Sequence, residues 1–180
     1  RAEDLRVEAK PDLSLVSDAD RDAEELIRSQ LKRTRPRDAV IGEEFAPTGS
    51  SPRQWVVDPI DGTHNYVRGV PVWATLIALV DDGGPVAAPA RGRRWWAALG
   101  SGAWAGKSLT SAKRIHVSSV SRVEDASISC SSWTSWSAVG RESQALDLAR
   151  DCWRERAFGD FWSYMLLAEG SVDIAAEPEL

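Results

Sequence analysis

Residues 55–63 read Trp-Val-Val-Asp-Pro-Ile-Asp-Gly-Thr, a short β-rich segment that ends in two carboxylates three positions apart. The proline fixes one backbone angle and Gly62 permits a tight turn, so Asp58 and Asp61 can converge on one cation. Carboxylate oxygens select hard cations, and Mg²⁺ is typically held by few carboxylates together with water and substrate phosphate. The backbone N–H groups of Gly62 and Thr63 offer a phosphate cradle if a short helix begins there.

A second acidic segment lies upstream, where residues 41–44 read Ile-Gly-Glu-Glu after a short apolar strand. A third carboxylate could therefore be presented at the same sheet edge, and three acidic groups beside a phosphate cradle predict metal-assisted phosphoryl chemistry. Each piece also has an ordinary interpretation, because Asp-Pro and Asp-Gly are common turn dipeptides and a glutamate pair after a strand is usually solvated. It is the combination that favours a site.

Composition sets the class of protein. The chain has 180 residues, with 22 Lys and Arg against 27 Asp and Glu, so its formal charge is −5. This balance predicts no general attraction to nucleic acid, and the short basic run at 91–94 does not change that expectation. No apolar stretch approaches the length of a membrane helix. Two cysteines, Cys130 and Cys152, form neither a disulfide framework nor a metal-ligand pair, which favours a reducing, cytoplasmic setting.

Local patterns predict a mixture of helices and strands. Ser17 with Asp20 three positions later resembles a capping box, and apolar residues then recur at helical spacing, so a helix is expected over 18–33. The alternation of strands and helices lacks a regular βαβ rhythm, which favours an α+β or mixed layered architecture. Strands are expected at 39–41, 55–57, 73–80, 94–98, 114–117 and 126–130 and from 172 onward, a hairpin turn at 81–84, and helices at 143–152 and 161–169.

The two acidic segments resemble a known family. Residues 41–44 and 55–66 are similar to the signature of the inositol monophosphatase-like phosphatases, a Gly-Glu-Glu followed by Asp-Pro-Ile/Leu-Asp-Gly-Thr-x-Asn-Phe/Tyr. The resemblance continues at 10–20, 100–104 and 168–173, so it extends over nearly the whole chain. It implies an α+β fold, a layered α/β/α/β/α sandwich like that of fructose-1,6-bisphosphatase, with residues 1–180 in a single phosphatase domain. It also implies a homodimer.

The resemblance further implies a site and a reaction. The expected reaction is hydrolysis of a phosphate monoester with two or three Mg²⁺ ions bound at the site. Thr63 would orient the attacking water, and Asp20 would accept the hydrogen bond of the Thr63 hydroxyl. The amides of Gly62 and Thr63 would hold the phosphate. Glu43 would serve both as a metal ligand and as a catalytic residue. The implied metal ligands are Glu43, Asp58, Asp61 and the backbone carbonyl of Ile60.

Both ends of the sequence suggest that segments are missing. The chain begins at Arg1 without Met, and the family supplies a further metal-binding aspartate from a Trp-Asp-x-Ala motif expected just beyond Leu180. We therefore expect the phosphatase domain to lack its N-terminal helix and its C-terminal segment. The strand after Val86 also looks shortened relative to the family.

Two acidic residues near the end of the sequence point to one branch of the family. Residues 159–164 carry a Gly-Asp-x-x-x-Tyr pattern that, together with residues 65–74, resembles the histidinol-phosphate phosphatases. Histidinol phosphate carries an ammonium and an imidazole, so Asp160 and Glu177 are the candidate substrate-binding residues. Asp160 could instead be a helix N-cap, and Glu177 could lie in a solvated turn. The alternatives for function are an inositol-1-phosphate or broad sugar-phosphate phosphatase and, in another class, a non-catalytic relative that binds metal or a partner.

Overall fold

The computed structural model describes residues 6–9, 15–81, 84–86, 89–90, 93–130 and 132–178. The chain divides into two compact units, Arg1–Arg114 and Ile115–Leu180. The single phosphatase domain stays a prediction. Among the described residues, no helix is both long enough and apolar enough to cross a membrane.

The first unit combines helices with mostly antiparallel sheets. Two helices are described there, the long α1 and the six-residue α2. Their bounds are Asp18–Thr34 for α1 and Thr63–Arg68 for α2. The strands are β1 (Val7–Ala9), β2 (Leu15–Ser17), β3 (Ala39–Gly42), β4 (Gln54–Asp61), β5 (Ala74–Asp81), β6 (Gly84–Val86), β7 (Pro89–Ala90), β8 (Arg93–Ala98), β9 (Gly102–Gly106) and β10 (Lys113–Ile115), which ends at the boundary between the units.

The strands of the first unit form three sheets. The central sheet has the order β3-β4-β5-β6, with β3 parallel to β4 and the other neighbours antiparallel. A second sheet has the order β10-β9-β8-β7, and β1 pairs with β2. Val57, Ile60 and Ala74 of β4 and β5 are buried, so the central strand pair contributes to the core. The sheet is thereby a firm support for the residues that follow β3 and β4.

Helix α1 begins where its capping sequence predicts. Asp20 Oδ2 accepts hydrogen bonds from the backbone N–H of Ser17 at 2.8 Å and from its hydroxyl. The helix then runs from Asp18 to Thr34, one residue beyond the predicted 18–33. Asp20 and Glu24 are buried on one face, which is unusual for carboxylates and means that both have specific partners.

Strand β4 contains a bulge at the acidic segment. Asp58 pairs with Leu76 and Asp61 with Ala74, so three steps along β4 match two steps along β5. Side chains alternate between faces along a regular strand, and residues three apart would point to opposite faces. The extra residue of the bulge returns Asp61 to the face of Asp58. Pro59, which cannot donate a ladder hydrogen bond, lies in this irregular stretch.

The second unit contains a parallel sheet and three helices. Asp173 ties the sheet together, because its side chain accepts the Ser127 N–H at 2.7 Å and its own N–H donates to the Ser127 carbonyl at 2.9 Å. Ile128 and Val172 are almost completely buried. The helices are α3 (Trp133–Ala138), α4 (Glu142–Asp151) and α5 (Asp160–Ala168), and the sheet has the order β12-β11-β13 with strands β11 (Ser127–Cys130), β12 (Arg154–Glu155) and β13 (Ile174–Ala176).

Most predicted elements are present in the structure, with shifts of a few residues at their ends. Strand β10 ends at Ile115, two residues before the predicted 114–117 segment ends. Among the elements that were not predicted from the sequence are α3, β1, β2 and β12. Asp81 pairs with Gly84 as expected of a hairpin. The turn residues Asp82 and Gly83, the shortened segment at 87–88, the start of the basic run at 91–92 and the Lys10–Ser14 part of the family resemblance lie outside the described residues.

Candidate active site

Three carboxylates meet at the end of the parallel strand pair β3–β4. The strands pair with Gly42 opposite Val57, and the Glu43 N–H continues the ladder by donating to the Val57 carbonyl at 3.1 Å. Glu43 thereby comes level with Asp58, the residue after Val57. The bulge in β4 adds Asp61 to the same face.

The electrostatics of Asp58 show how close these groups are. The pKa of the Asp58 carboxyl is raised from 3.8 to about 8, mainly by burial and then by the charges of Glu43 and Asp61 and a hydrogen bond with Glu43. Among the described residues, its buried Oδ1 atom has no hydrogen-bond partner. A buried oxygen without a partner beside two other carboxylates fits a hard cation, because a cation would satisfy the oxygen and offset the repulsion.

The carboxylates are near one another but not yet in a ligating arrangement. In the described part of the chain, no group of three or more His, Cys, Asp and Glu side chains has the spacing needed to hold a metal ion. Asp58 shares a hydrogen bond with Glu43, so a cation bound here would replace the proton of that bond. The metal ligands predicted from the sequence therefore stay predictions.

Thr63 lies at the centre of the polar contacts in this region. Its hydroxyl is 3.1 Å from Asp20 Oδ1 and 3.1 Å from the Ile60 carbonyl oxygen. A hydroxyl has one proton, so only one of these acceptors receives a full hydrogen bond at a time. The structure thus brings together Asp20 and Thr63 across 43 positions of sequence, the pair that the family resemblance implies.

Asp20 is held rigidly for this contact. Its side chain is 1 % exposed, and Oδ2 is occupied by the N–H and hydroxyl of Ser17. Oδ1 is thereby left directed at Thr63. The same carboxylate that begins α1 also holds the Thr63 hydroxyl, so the capping interaction has a second purpose at the site.

Helix α2 begins at Thr63, as the phosphate-cradle prediction requires. Gly62, the residue before it, has a φ of +83°, which is in the left-handed region that favours glycine. At the other end of the helix the Asn65 side chain donates to the Val72 carbonyl at 3.0 Å, and the Tyr66 and Trp73 rings meet edge to face. The segment after the acidic motif is thus fixed against the start of β5.

The proposed substrate-binding residues both belong to the second unit. Asp160 is the first residue of α5, and the N-cap is Gly159. The interpretation of Asp160 as the N-cap is therefore wrong by one residue. Asp160 is exposed and has a φ of +44°, the sole positive φ among the described non-glycine residues. Strain of this kind clusters at functional positions. Glu177 follows β13 and is half-buried.

A pair of buried serines supports the segment that leads to Asp160. The hydroxyls of Ser129 in β11 and Ser163 in α5 lie 2.8 Å apart, and both residues are at most 1 % exposed. The Phe158 N–H donates to the same Ser129 hydroxyl at 3.3 Å. The start of α5 is thereby anchored on both sides of Asp160.

The cysteines are free thiols. Cys130 is buried and Cys152 is half-buried. Burial raises the pKa of the Cys130 thiol to about 11, so it stays protonated and unreactive at neutral pH. Cys130 is therefore an inert thiol of the core, whereas Cys152 is partly exposed.

Two polar residues that support the site, Thr75 and Glu24, were not predicted from the sequence. Thr75 in β5 donates through its hydroxyl to the Pro59 carbonyl at 2.9 Å and thereby stabilises the bulge. Glu24 in α1 is fully buried and accepts hydrogen bonds from the backbone that follows Glu43. A signal for Glu24 was present, because it follows Asp20 by four positions and therefore lies on the same face of the helix.

Comparison with known proteins identifies the family. The sequence model of the inositol monophosphatase family matches residues 1–179. The chain belongs to the inositol monophosphatase family. Among curated members, the histidinol-phosphatase of Streptomyces coelicolor is 61% identical over 188 aligned residues, which cover 100% of this chain and 71% of that protein. The histidinol-phosphatase of Mycobacterium tuberculosis is 54% identical, with 98% of this chain and 70% of that protein covered.

Solved structures of the inositol monophosphatase family agree with the fold. The extragenic suppressor protein suhB from Bartonella henselae superposes with a TM-score of 0.86 at 29% identity, over 99% of this chain and 70% of that one. An inositol monophosphatase from Thermotoga maritima gives a TM-score of 0.82 at 26% identity, over 97% of this chain and 67% of that one. The predicted α+β sandwich is therefore confirmed.

Proposed function

We propose that this chain acts as a histidinol-phosphatase, which hydrolyses L-histidinol phosphate to L-histidinol and phosphate in histidine biosynthesis. The observation that carries the proposal is the set of three carboxylates beside the Asp20–Thr63 pair, the arrangement expected for hydrolysis of a phosphate monoester. The choice of substrate is supported by the two relatives at 61% and 54% identity, both of which are histidinol-phosphatases.

We propose two or three Mg²⁺ ions as the cofactor, held by Glu43, Asp58, Asp61 and the Ile60 carbonyl. The unpartnered Asp58 Oδ1 supports this assignment, because a buried carboxyl oxygen needs a hydrogen-bond donor or a cation as its partner. Mg²⁺ held by these residues would supply Lewis-acid polarisation of the phosphate ester, a lower pKa for the attacking water and charge to offset the leaving alkoxide. Glu43 would contribute to catalysis through the carboxylate that also binds Mg²⁺.

The Thr63 hydroxyl would orient the attacking water. Donation of its proton to Asp20 Oδ1 leaves the oxygen lone pairs of Thr63 free to accept a hydrogen from that water. If the Ile60 carbonyl is engaged elsewhere, the proton has Asp20 as its remaining acceptor, which fixes the direction of the chain of hydrogen bonds. The amides of Gly62 and Thr63 would bind the phosphate oxygens at the start of α2.

Asp160 and Glu177 would recognise the leaving alcohol. Histidinol carries an ammonium and an imidazole, and a carboxylate near each would give it an attraction that a neutral polyol does not receive. The positive φ of Asp160 supports this proposal, since a strained backbone destabilises the fold and residues with such strain are common at binding sites.

We extend the proposal to the setting of the enzyme. The partner is a small-molecule phosphate ester rather than nucleic acid or a membrane, the location is cytoplasmic, and the enzyme is a homodimer. The net charge of −5 supports the absence of a nucleic-acid partner. The free thiols Cys130 and Cys152 support a cytoplasmic location. Light scattering of the purified enzyme tests the dimer.

Phosphate release by the full-length enzyme tests the function. Histidinol phosphate and inositol 1-phosphate are compared side by side, each with Mg²⁺ and with a chelator. We expect Mg²⁺-dependent release mainly from histidinol phosphate. A preference for inositol 1-phosphate would keep the mechanism and refute the proposed substrate, whereas no release from either ester would favour a non-catalytic relative.

An Asp61→Asn variant tests the metal ligands. The substitution keeps the shape of the side chain and removes one negative charge, so we expect turnover to be abolished through weakened Mg²⁺ binding. Steady-state kinetics over a wide range of Mg²⁺ concentration measures this effect. Glu25→Gln, a matched change at an exposed position of α1, is the control and is expected to leave turnover unchanged. Turnover retained in Asp61→Asn would contradict the mechanism.

A further inference from the structure

Glu24 is a buried charged residue for which the proposed reaction has no direct use. Its side chain is 0 % exposed in the middle of α1. A carboxylate at such a position is stable only if hydrogen bonds and opposite charge replace its hydration. The partners that Glu24 has found show what it does.

The Glu24 carboxylate binds the backbone on the C-terminal side of Glu43. Its Oε2 atom accepts the Glu44 N–H at 2.8 Å, and its Oε1 atom accepts the Phe45 N–H at 3.3 Å. Two successive backbone donors are thus fixed by one side chain. Hydrogen bonds to an ionised acceptor are stronger than neutral ones, so this turn is well restrained.

Gly42 brings the other side of Glu43 against the same carboxylate. A Cβ atom added at Gly42 would lie 1.8 Å from Glu24 Oε1, a distance at which the two atoms would overlap. Only a glycine can therefore occupy this position with Glu24 in place. Because Glu24 contacts residues both before and after Glu43, it determines how the Glu43 backbone leaves β3.

Arg28 completes the arrangement one helical turn later. Its Nε atom donates to Glu24 Oε1 at 2.7 Å, which neutralises the buried charge. Its two Nη atoms reach the Phe45 carbonyl at 3.0 Å and the Thr48 hydroxyl at 3.1 Å. One ion pair on α1 therefore holds the chain from residue 42 to residue 48.

We propose that Glu24 is a positioning residue that holds the Glu43 carboxylate beside Asp58 through the backbone of Gly42, Glu44 and Phe45, and so sets the affinity of the site for Mg²⁺. The inference rests on the proposed function through the assignment of Glu43 as a metal ligand. Residues that orient a metal ligand typically change metal affinity by about 10- to 100-fold when they are removed. Glu24 contacts no reacting atom, so turnover at saturating Mg²⁺ depends on it far less.

A Glu24→Gln variant of the full-length enzyme tests the proposal. Mg²⁺ affinity is measured by titration calorimetry without substrate, and turnover is measured at rising Mg²⁺. We expect Mg²⁺ affinity to fall about 10- to 100-fold, with turnover at saturating Mg²⁺ close to that of the unmodified enzyme. The matched control is Glu25→Gln, which changes the neighbouring exposed residue and should alter neither quantity. Equal Mg²⁺ affinity in Glu24→Gln and Glu25→Gln would overturn the proposal.

A second variant covers the case in which Glu24→Gln does not fold. Gly42→Ala keeps Glu24 but places a methyl group where it overlaps Glu24 Oε1, so the carboxylate must shift away from the backbone of Glu44 and Phe45. A loss of Mg²⁺ affinity in this variant supports the proposal, and unchanged affinity overturns it. The two proposals fail separately. If histidinol phosphate is not hydrolysed but Glu24→Gln still weakens Mg²⁺ binding, the proposed function fails and the positioning inference stands.

Discussion

At the scale of single residues, the site depends on a few hydrogen bonds with a definite direction. Asp20 accepts from Ser17 with one oxygen and from Thr63 with the other, so it links the start of α1 to the start of α2. The N–H and the hydroxyl of Ser17 both donate to Oδ2, and the Thr63 hydroxyl is directed at Oδ1, so both carboxyl oxygens of Asp20 are used as acceptors. A neutral amide at this position would turn one acceptor into a donor and break the chain of hydrogen bonds.

Replacement of Thr63 tests this chain. Thr63→Val keeps the shape of the side chain and removes the hydroxyl, so the water loses its acceptor, and we expect kcat to fall by about 10²- to 10⁴-fold. Thr63→Ser retains the hydroxyl and is the matched control, with most of the turnover expected to remain. Steady-state kinetics on histidinol phosphate measures both variants. Turnover retained in Thr63→Val would contradict the proposed role of the hydroxyl.

At the scale of elements, local signals predicted the helices better than the strands. The bounds of α1 follow from a capping box and apolar spacing, both of which lie within the helix itself. The length of β4 was underestimated, because its extension through Pro59 and its bulge depend on pairing with β5. Helix α3 was missed because its sequence, Trp-Thr-Ser-Trp-Ser-Ala, is rich in weak helix formers.

In the candidate site, too, residues of a short local motif could be predicted, whereas a residue with distant partners could not. The motif residues Asp58, Asp61 and Thr63 could be found from the sequence because their spacing is short and specific. Glu24 could not be assigned a purpose in this way, because its partners Glu44 and Phe45 lie 20 and 21 positions away. Contacts of this kind are set by the packing of α1 against the end of β3.

The start of α5 provides a prediction that separates strain from substrate binding. Asp160 has a φ of +44°. Asn tolerates the left-handed region, so Asp160→Asn should keep the backbone while removing the charge. We expect kcat/KM for histidinol phosphate to fall about 10- to 100-fold, which corresponds to the loss of a hydrogen bond to a charged group, and that for inositol 1-phosphate to change little.

A stability measurement completes this test. Glycine adopts a positive φ without strain, so Asp160→Gly should raise the free energy of unfolding by about 1 kcal/mol and the melting temperature with it. Its activity on histidinol phosphate should match that of Asp160→Asn. An equal loss by Asp160→Asn on both substrates would assign Asp160 a structural purpose instead of recognition of the alcohol.

At the scale of the whole molecule, the proposed chemistry and the proposed substrate recognition belong to different parts of the chain. Asp20, Glu43, Asp58, Asp61 and Thr63 all fall in the unit of residues 1–114, and Asp160 and Glu177 fall in the unit of residues 115–180. Under the proposed function, substitutions of Asp160 and Glu177 would change the choice of phosphate ester and leave the hydrolytic residues unchanged. Such a division agrees with a family that includes both inositol monophosphatases and histidinol-phosphatases.

The stability of the whole molecule should depend on pH through Asp58. The pKa of its carboxyl is about 8 in the folded protein and 3.8 ordinarily, so between these values the folded state holds a proton that the unfolded state has released. This contribution to stability is fully present below pH 3.8 and is lost as the pH rises through about 8. In a chelator, we therefore expect the melting temperature to fall over this range.

Mg²⁺ should reverse the trend, since a cation competes with that proton. The rise in melting temperature on addition of Mg²⁺ should be larger near pH 8 than near pH 6. Scanning calorimetry of the unmodified enzyme and of Asp58→Asn measures the effect, because the variant has no proton to lose at this position. Identical pH dependence in the two proteins would contradict the raised pKa.

The bulge in β4 changes which sequence separations place two side chains on the same face of the strand. Two side chains of one regular strand share a face only when their separation in sequence is even, yet Asp58 and Asp61 are separated by an odd number and still act on one another. Odd spacing between residues that must cooperate within one strand is therefore itself a sign of an inserted residue. Applied to other sequences, this arithmetic locates a bulge before any partner strand is known.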